Sequence, residues 1–235
     1  MTNKIYLENL ETMDYARREA YNSLRSNLMF SGPDIKTILF TSCNPDEGKS
    51  TVSFGLARSV AGTGRKVLFV DTDLRKSVMQ GRYQIKLEDK NQKGMTHYLS
   101  ALASLEEVIV ETNVDNLYMI LTGPLSPNPT ELLAGSRMEA LLNAAREVFD
   151  LVIIDSPPLG MVIDAAVLAP KCDGVIMVIE SDEVSRRTAV KVKKQLEMTG
   201  CRIIGAVLNK IDTEHRGYYY GKYKYKYNKY YQEYK

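Results

Sequence analysis

The chain of 235 residues holds only three cysteines and two histidines. Cys43, Cys172 and Cys201 are odd in number, far apart and without a CxxC pair, and only His97 and His215 stand beside them. That set argues against a disulfide framework and against a zinc site. No apolar run approaches the ~20 residues that a membrane-crossing helix needs. The first residues, MTNKIYLENLETMDY, lack the apolar core of a signal peptide. A cytoplasmic protein is therefore expected, with any membrane association supplied by a partner or by the tail. There is no excess of one charge either: 31 Lys plus Arg face 29 Asp plus Glu, so the net charge of +2 gives no global pull toward nucleic acid. The stretch from Tyr218 to Lys235 lacks any aliphatic or Phe side chain.

That last absence frames what is present. Nine tyrosines, Tyr218, Tyr219, Tyr220, Tyr223, Tyr225, Tyr227, Tyr230, Tyr231 and Tyr234, are separated mostly by lysine. From Arg216 to Lys235 six cations meet one anion, a net of +5, so the rest of the chain is slightly acidic. Such a tail cannot bury enough apolar surface to offset its ordering entropy, and disorder in isolation is expected. Alternating Tyr and Lys can stack bases and neutralise phosphates, can lie on an anionic membrane, or can be a substrate.

Ahead of the tail, apolar runs of strand length alternate with helical stretches. TILFTS (37–42), KVLFVDTD (66–73), NLYMILTG (116–123), LVIIDS (151–156), GVIMVIE (174–180) and RIIGAVLN (202–209) read as strands buried on both faces. Helices are expected at 49–62, 130–147, 160–169 and 183–199. Strand–helix–strand at this pitch predicts a doubly wound, mostly parallel α/β sheet. Residues 13–30 read as an amphipathic helix carrying Tyr21, Leu24 and Leu28 on one face, and residues 74–105 as a mobile loop. The expected divisions are an N-terminal segment 1–34, a core domain 35–212 and a flexible tail 213–235.

After the first of these strands comes TSCNPDEGKST. Gly48, Lys49 and Ser50 fit the end of the phosphate-loop pattern G-x-x-x-x-G-K-[ST], with Cys43 at the first glycine position. Backbone amides over Asp46, Glu47, Gly48, Lys49, Ser50 and Thr51 are placed to wrap a β-phosphate at a helix N-terminus, where the dipole favours anions. Lys49 reaches toward the β- and γ-phosphates, and the Ser50 hydroxyl suits Mg²⁺. Two further strands end in carboxylates, Asp71 and Asp73 in one and Asp155 in the other, and strand ends of a parallel sheet share one crevice. Asp155 suits Mg²⁺, with Asp71 a further metal candidate, and Asp71 or Asp73 can take a proton from an attacking hydroxyl. VLNKID carries Asn209 and Asp212, a literal N-K-x-D, although Asn209 can equally read an adenine edge.

Together these motifs resemble the bacterial tyrosine kinases of capsule and exopolysaccharide synthesis, in the form where kinase and membrane activator are separate chains. SCNPDEGKST is similar to that family's S-x-x-P-G-E-G-K-S, with Asp46 where a glycine is usual; VLFVDTDLRK, LVIIDSPP and GPLSPNPTELL are similar to its other motifs, and a tyrosine cluster closes the chain. The resemblance implies ATP and Mg²⁺ as cofactors, Lys49, Asp71, Asp73 and Asp155 as catalytic residues, and the tail tyrosines as sites of trans-autophosphorylation. It also implies a transmembrane adaptor as activator, protein tyrosines as substrates, and no nucleic-acid partner. The family's E-x-x-R-x-x-R helix, which mediates ring assembly, corresponds to Glu19, Asn22 and Arg25, with Asn22 replacing the middle arginine. Arg75 is left with two roles, transition-state stabilisation or pairing with a carboxylate. The competing reading is a partition or cell-division ATPase, which needs a second lysine where this chain has Asn44. The H-R-D and D-F-G signatures of eukaryotic-type kinases are absent.

Overall fold

The structure is a computed structural model that describes residues 3–211. In chain order its elements are β1 (Lys4–Leu7), α1 (Tyr15–Phe30), β2 (Thr37–Ser42), α2 (Lys49–Ala61), β3 (Val67–Asp71), α3 (Met79–Arg82), β4 (Ile85–Leu87), α4 (Met95–Leu99), α5 (Leu105–Val108), β5 (Val110–Thr112) and β6 (Leu117–Ile120). There follow α6 (Pro129–Ala134), α7 (Ser136–Val148), β7 (Leu151–Asp155), α8 (Asp164–Leu168), β8 (Gly174–Glu180), α9 (Arg186–Glu197) and β9 (Ile203–Asn209).

Among the described residues one sheet runs β4-β1-β5-β6-β3-β7-β2-β8-β9. The six strands read from the sequence form its parallel part, from β6 to β9. Side chains on a strand alternate between faces, and here the alternation divides two cores. Leu39, Leu68, Val70, Val152 and Ile154 join one apolar cluster, while Ile38, Phe40, Val67, Phe69, Leu151 and Ile153 join the other. Helices α7 and α8 cover the first face through Leu141, Leu142, Ala165 and Leu168. Helix α2 covers the second through Val52, Phe54, Leu56 and Val60. Burial on both sides explains why β3 and β7 are apolar at every position but the last, and why β2 carries Ile38, Leu39 and Phe40 in succession.

The helix read over 130–147 is broken at Gly135, whose extended backbone (φ −63°, ψ 160°) ends α6 and starts α7. Helix α1 begins at Asp14, which caps it by accepting from the Arg17 amide at 2.8 Å, and α9 begins at Ser185 in the same way. Helix α1 lies over α2: the Tyr21 ring fills the space that a Cβ on Gly55 would need, at 2.2 Å.

Residues 74–105 are not a mobile loop. They form α3, β4 and α4, and Leu74, Met79, Tyr83, Ile85, Met95, Tyr98 and Leu99 are buried. These anchors are scattered among polar residues without a helical or strand period, so pattern reasoning passes over them. The segment is held by tertiary contact: β4 pairs antiparallel with β1, and Met95 and Thr96 donate their amides to Leu121 and Thr122. Strand β1, from the N-terminal segment, is also parallel to β5, so this segment is part of the sheet. The tail tyrosines from Tyr218 to Tyr234, and Asp212, lie outside the described residues.

Candidate functional site

The loop between β2 and α2 closes on itself. Glu47, 2 % exposed, turns its carboxylate inward to accept from the amides of Asn44 (2.7 Å) and Cys43 (3.2 Å). Burial raises its pKa, and those two hydrogen bonds oppose the rise. The same burial, aided by the Glu47 charge, pushes the Cys43 thiol up to about 11, so it stays protonated and unreactive. Gly48 is required twice over, by a φ of +82° and because a Cβ there would lie 2.1 Å from the Asn209 amide nitrogen. Asn209 donates that nitrogen to the Glu47 carbonyl at 2.9 Å, tying the end of β9 to the loop. Gly160, after β7, abuts the loop's start so closely that a Cβ would fall 2.0 Å from the Cys43 carbonyl oxygen.

Asp46 takes the left-handed backbone, φ +62°. An L-residue in that region costs about 1 kcal/mol relative to glycine. Its exposed carboxylate also stands at the N-terminal side of α2, where an incoming anion would approach. Because that strain is already present without nucleotide, Asp46→Gly is expected to tighten nucleotide binding, up to several-fold, through relief of like-charge repulsion alone. Titration with a fluorescent ADP measures it.

Helix α2 has no side-chain cap, so its first amides face the crevice. Lys49 is buried and reaches Asp155 Oδ1 with its Nζ at 2.8 Å and Ser50 Oγ at 3.2 Å. Ser53, one turn further along α2, also donates to Asp155 Oδ1, at 3.0 Å. Asp71 ends β3 directly opposite Asp155 at the end of β7. Two buried carboxylates thus face one ammonium. Burial, and then the Asp155 charge, raise Asp71 to about 7. Ser77 Oγ donates to Asp71 Oδ2, and the Asp73 amide donates to Oδ1 at 3.1 Å.

Asp73 differs from Asp71 in being only half-buried; its Oδ1 accepts from the amides of Lys76 (2.9 Å) and Arg75 (3.3 Å). Of the two roles open to Arg75, pairing with a carboxylate is what the geometry has: its Nε meets Asp164 Oδ2 at 2.7 Å. Thr51 receives a hydrogen bond from Arg82 at its hydroxyl and one from Tyr21 at its carbonyl. On α1, Asn22 donates to Glu19 at 2.9 Å, and Arg25 donates to the Ser59 carbonyl at 3.0 Å, so these three residues are engaged within the chain.

Lys49, Ser50, Asp71 and Asp155 converge, with Asp73 at the rim. Sequence reasoning overlooked Ser53, Ser77, Thr130 and Asp164. Only Ser53 carried a signal, its i+4 spacing from Lys49 on the helix face.

Surplus carboxylate oxygens beside an uncapped helix start suit a hard cation accompanying a phosphate. Among the described residues no cluster of three His, Cys, Asp or Glu stands ready to hold a metal ion.

A strand, a glycine–lysine turn, a helix and carboxylates at neighbouring strand ends define the class: a P-loop nucleotide-binding protein. The AAA domain family model matches residues 35–200. The tyrosine-protein kinase CpsD of Streptococcus pneumoniae is 42% identical over 194 residues, covering 83% of this chain and 84% of that protein. The kinase domain of the Escherichia coli tyrosine kinase ETK superposes with a TM-score of 0.76 at 32% identity, over 83% of this chain and 78% of that one. The chimerical protein CapA2B2 does so with a TM-score of 0.75, also at 32% identity, over 82% and 84%. The chain belongs to the bacterial tyrosine-protein kinases, within the AAA domain family.

Proposed function

We propose that this chain transfers the γ-phosphoryl group of ATP to tyrosine hydroxyls, among them the Tyr218–Tyr234 cluster of another copy, and thereby regulates capsule or exopolysaccharide synthesis. The observation that carries this is the pairing of a buried Lys49–Asp155–Asp71 group with a half-exposed Asp73 at its edge. Asp71 is 1 % exposed and Asp73 only half-buried, so Asp73 is the more accessible of the two to a bulky phenol. Asp73 is thus the base and Asp71 serves the metal.

Loop amides of 46–51 and Lys49 hold the β- and γ-phosphates, Lys49 exchanging Asp155 for the nucleotide. Mg²⁺, when bound by Ser50, Asp155 and Asp71, neutralises phosphate charge. A phenol has a pKa near 10, so a carboxylate acceptor assists attack. Asp73 takes the phenolic proton as the tyrosine oxygen bonds to the γ-phosphorus and the bond to the ADP oxygen breaks. Asn209 holds the loop closed through the Glu47 carbonyl and is the residue assigned to the adenine edge.

The tail is chemically matched to that crevice. Its net +5 is drawn to a site rich in carboxylates, and each phosphate brings about −1.5 to −2 charges, so two or three reverse the attraction. Residues 217–235 span at most roughly 60 Å when extended, enough to reach a neighbour. Copies meet through the α1 face bearing Glu19, Asn22 and Arg25. Among the described residues no helix is long and apolar enough to cross a membrane. Recruitment to the inner membrane face is assigned to the adaptor that the resemblance implies.

Deleting 217–235 is expected to remove most self-labelling while leaving nucleotide affinity unchanged. Phosphotyrosine blotting and ADP titration on the same preparations check both halves; full labelling of the truncated chain would contradict the tail's role.

A further inference from the structure

The segment that follows β3 carries both Asp71 and Asp73, yet it is irregular and half-exposed between Thr72 and Val78. Placing two carboxylates to within the tolerance of an in-line reaction requires something to hold such a segment. A misplacement of about 1 Å costs on the order of 10²-fold in rate. The backbone already orients the carboxylates: the Asp73 amide and the Ser77 hydroxyl hold Asp71, while the Arg75 and Lys76 amides hold Asp73. The position of Arg75 therefore bears directly on Asp73, through its own amide, and on Asp71 only through the Asp73 amide.

Arg75 is anchored from outside the segment. Its Nε and Nη2 grip Asp164 Oδ2 and Oδ1 at 2.7 and 3.0 Å, a bidentate geometry, and Nη2 also donates to Thr130 Oγ1 at 2.9 Å. The Thr130 hydroxyl in turn donates to Asp164 Oδ1, closing a triangle. Asp164 begins α8 and is fully buried, at 0 % exposure, and Thr130 lies in the first turn of α6. Three separate segments, the turn after β3, α6 and α8, meet at this one carboxylate. A buried, unshared carboxylate would be costly, and the Arg75 fork is what makes it tolerable.

We propose that Asp164 is a positioning residue for phosphoryl transfer: through Arg75 and Thr130 it fixes the turn that aims Asp73 at the incoming hydroxyl. Asp164 touches neither nucleotide nor phenol; it acts by holding Arg75, which therefore works as a tether rather than as a mobile charge donor. Thr130 extends the same hold to α6, so that α6 and the turn after β3 stand in a fixed relation beside the crevice. This inference rests on the kinase reading above.

The test compares the full chain with Asp164→Asn, Arg75→Gln and the double variant, measuring the kcat and KM for ATP in tyrosine phosphorylation together with ADP affinity. The expected result is a fall in kcat of about 10- to 100-fold in each single variant with KM and ADP affinity unchanged. The double variant should be no slower than the slower single one, because both remove the same contact. Arg75→Gln alters a side chain 39% exposed and guards against the chance that Asp164→Asn fails to fold. Full kcat in both single variants would overturn the proposal. So would a loss of ADP affinity parallel to the loss of turnover, which marks general damage rather than aim. Absence of phosphotyrosine from the unmodified chain would contradict the kinase reading itself, and this proposal with it.

Discussion

Lys49→Met is expected to lower phosphotyrosine formation by at least about 10²- to 10³-fold, the loss that follows removal of one preorganised group stabilising transferred charge. The substitution also has a structural cost. Lys49 is 7% exposed at its side chain and Asp155 2%, and their 2.8 Å contact is a buried ion pair. Removing the ammonium leaves Asp155 with Ser53 alone and a second carboxylate, Asp71, across the sheet. Breaking such a pair from one side costs about 3–5 kcal/mol, so the variant is expected to unfold at lower temperature as well as to be inactive. Lys49→Arg separates the two effects, since it keeps the positive charge but not the compact ammonium that a phosphate cradle admits. Activity lost with stability retained in Lys49→Arg assigns Lys49 to chemistry. Undiminished labelling by Lys49→Met would remove it from the reaction.

Asp71→Asn is expected to behave in the opposite way on stability: inactive, yet more stable than the parent chain when no nucleotide is present. Burial and the Asp155 charge raise Asp71 to about 7, against about 3.8 for an unhindered carboxyl. Between those values the folded protein binds a proton that the unfolded chain has released. Stability is thus fullest below the lower value and is lost as pH rises through the higher one. Near pH 8 the buried charge carries its full desolvation cost. The asparagine variant escapes that cost, and its advantage should grow from pH 5 to pH 7 and then level off. Denaturant titrations at pH 5, 6, 7 and 8 measure this. A constant difference across the range would mean that Asp71 is already ionised at low pH.

The long parallel strands were legible because burial on both faces leaves an unbroken apolar run, as in LVIID and VLFVD. β1, β4 and β5 were not, since three or four residues such as VET carry no period to recognise. The error over 74–105 has the same origin. Met79, Tyr83, Met95 and Tyr98 are buried by tertiary docking, and nothing in their spacing announces it. At the site, the loop and the three strand-end aspartates could be named from their context. What separates Asp71 from Asp73 is burial two residues apart at the end of one strand, which residue type does not encode. Arg75 and Asp164 stand 89 positions apart, so their pairing is a product of the fold alone. Arg25, read from its resemblance to an assembly motif, also donates to Ser59 of its own chain, 34 positions away, a contact that spacing alone does not announce.

The most direct test of a nucleotide cradle that delivers phosphate to a neighbour's phenols is to map phosphorylation on the full chain. The chain is incubated with Mg·ATP and the cytoplasmic C-terminal peptide of the proposed membrane adaptor, then sequenced by tandem mass spectrometry. The account predicts phosphate on tyrosines between Tyr218 and Tyr234 of the unmodified chain and none on the Lys49→Met chain. Phosphate confined to serine or threonine, or none at all on a chain that binds the nucleotide, would contradict it.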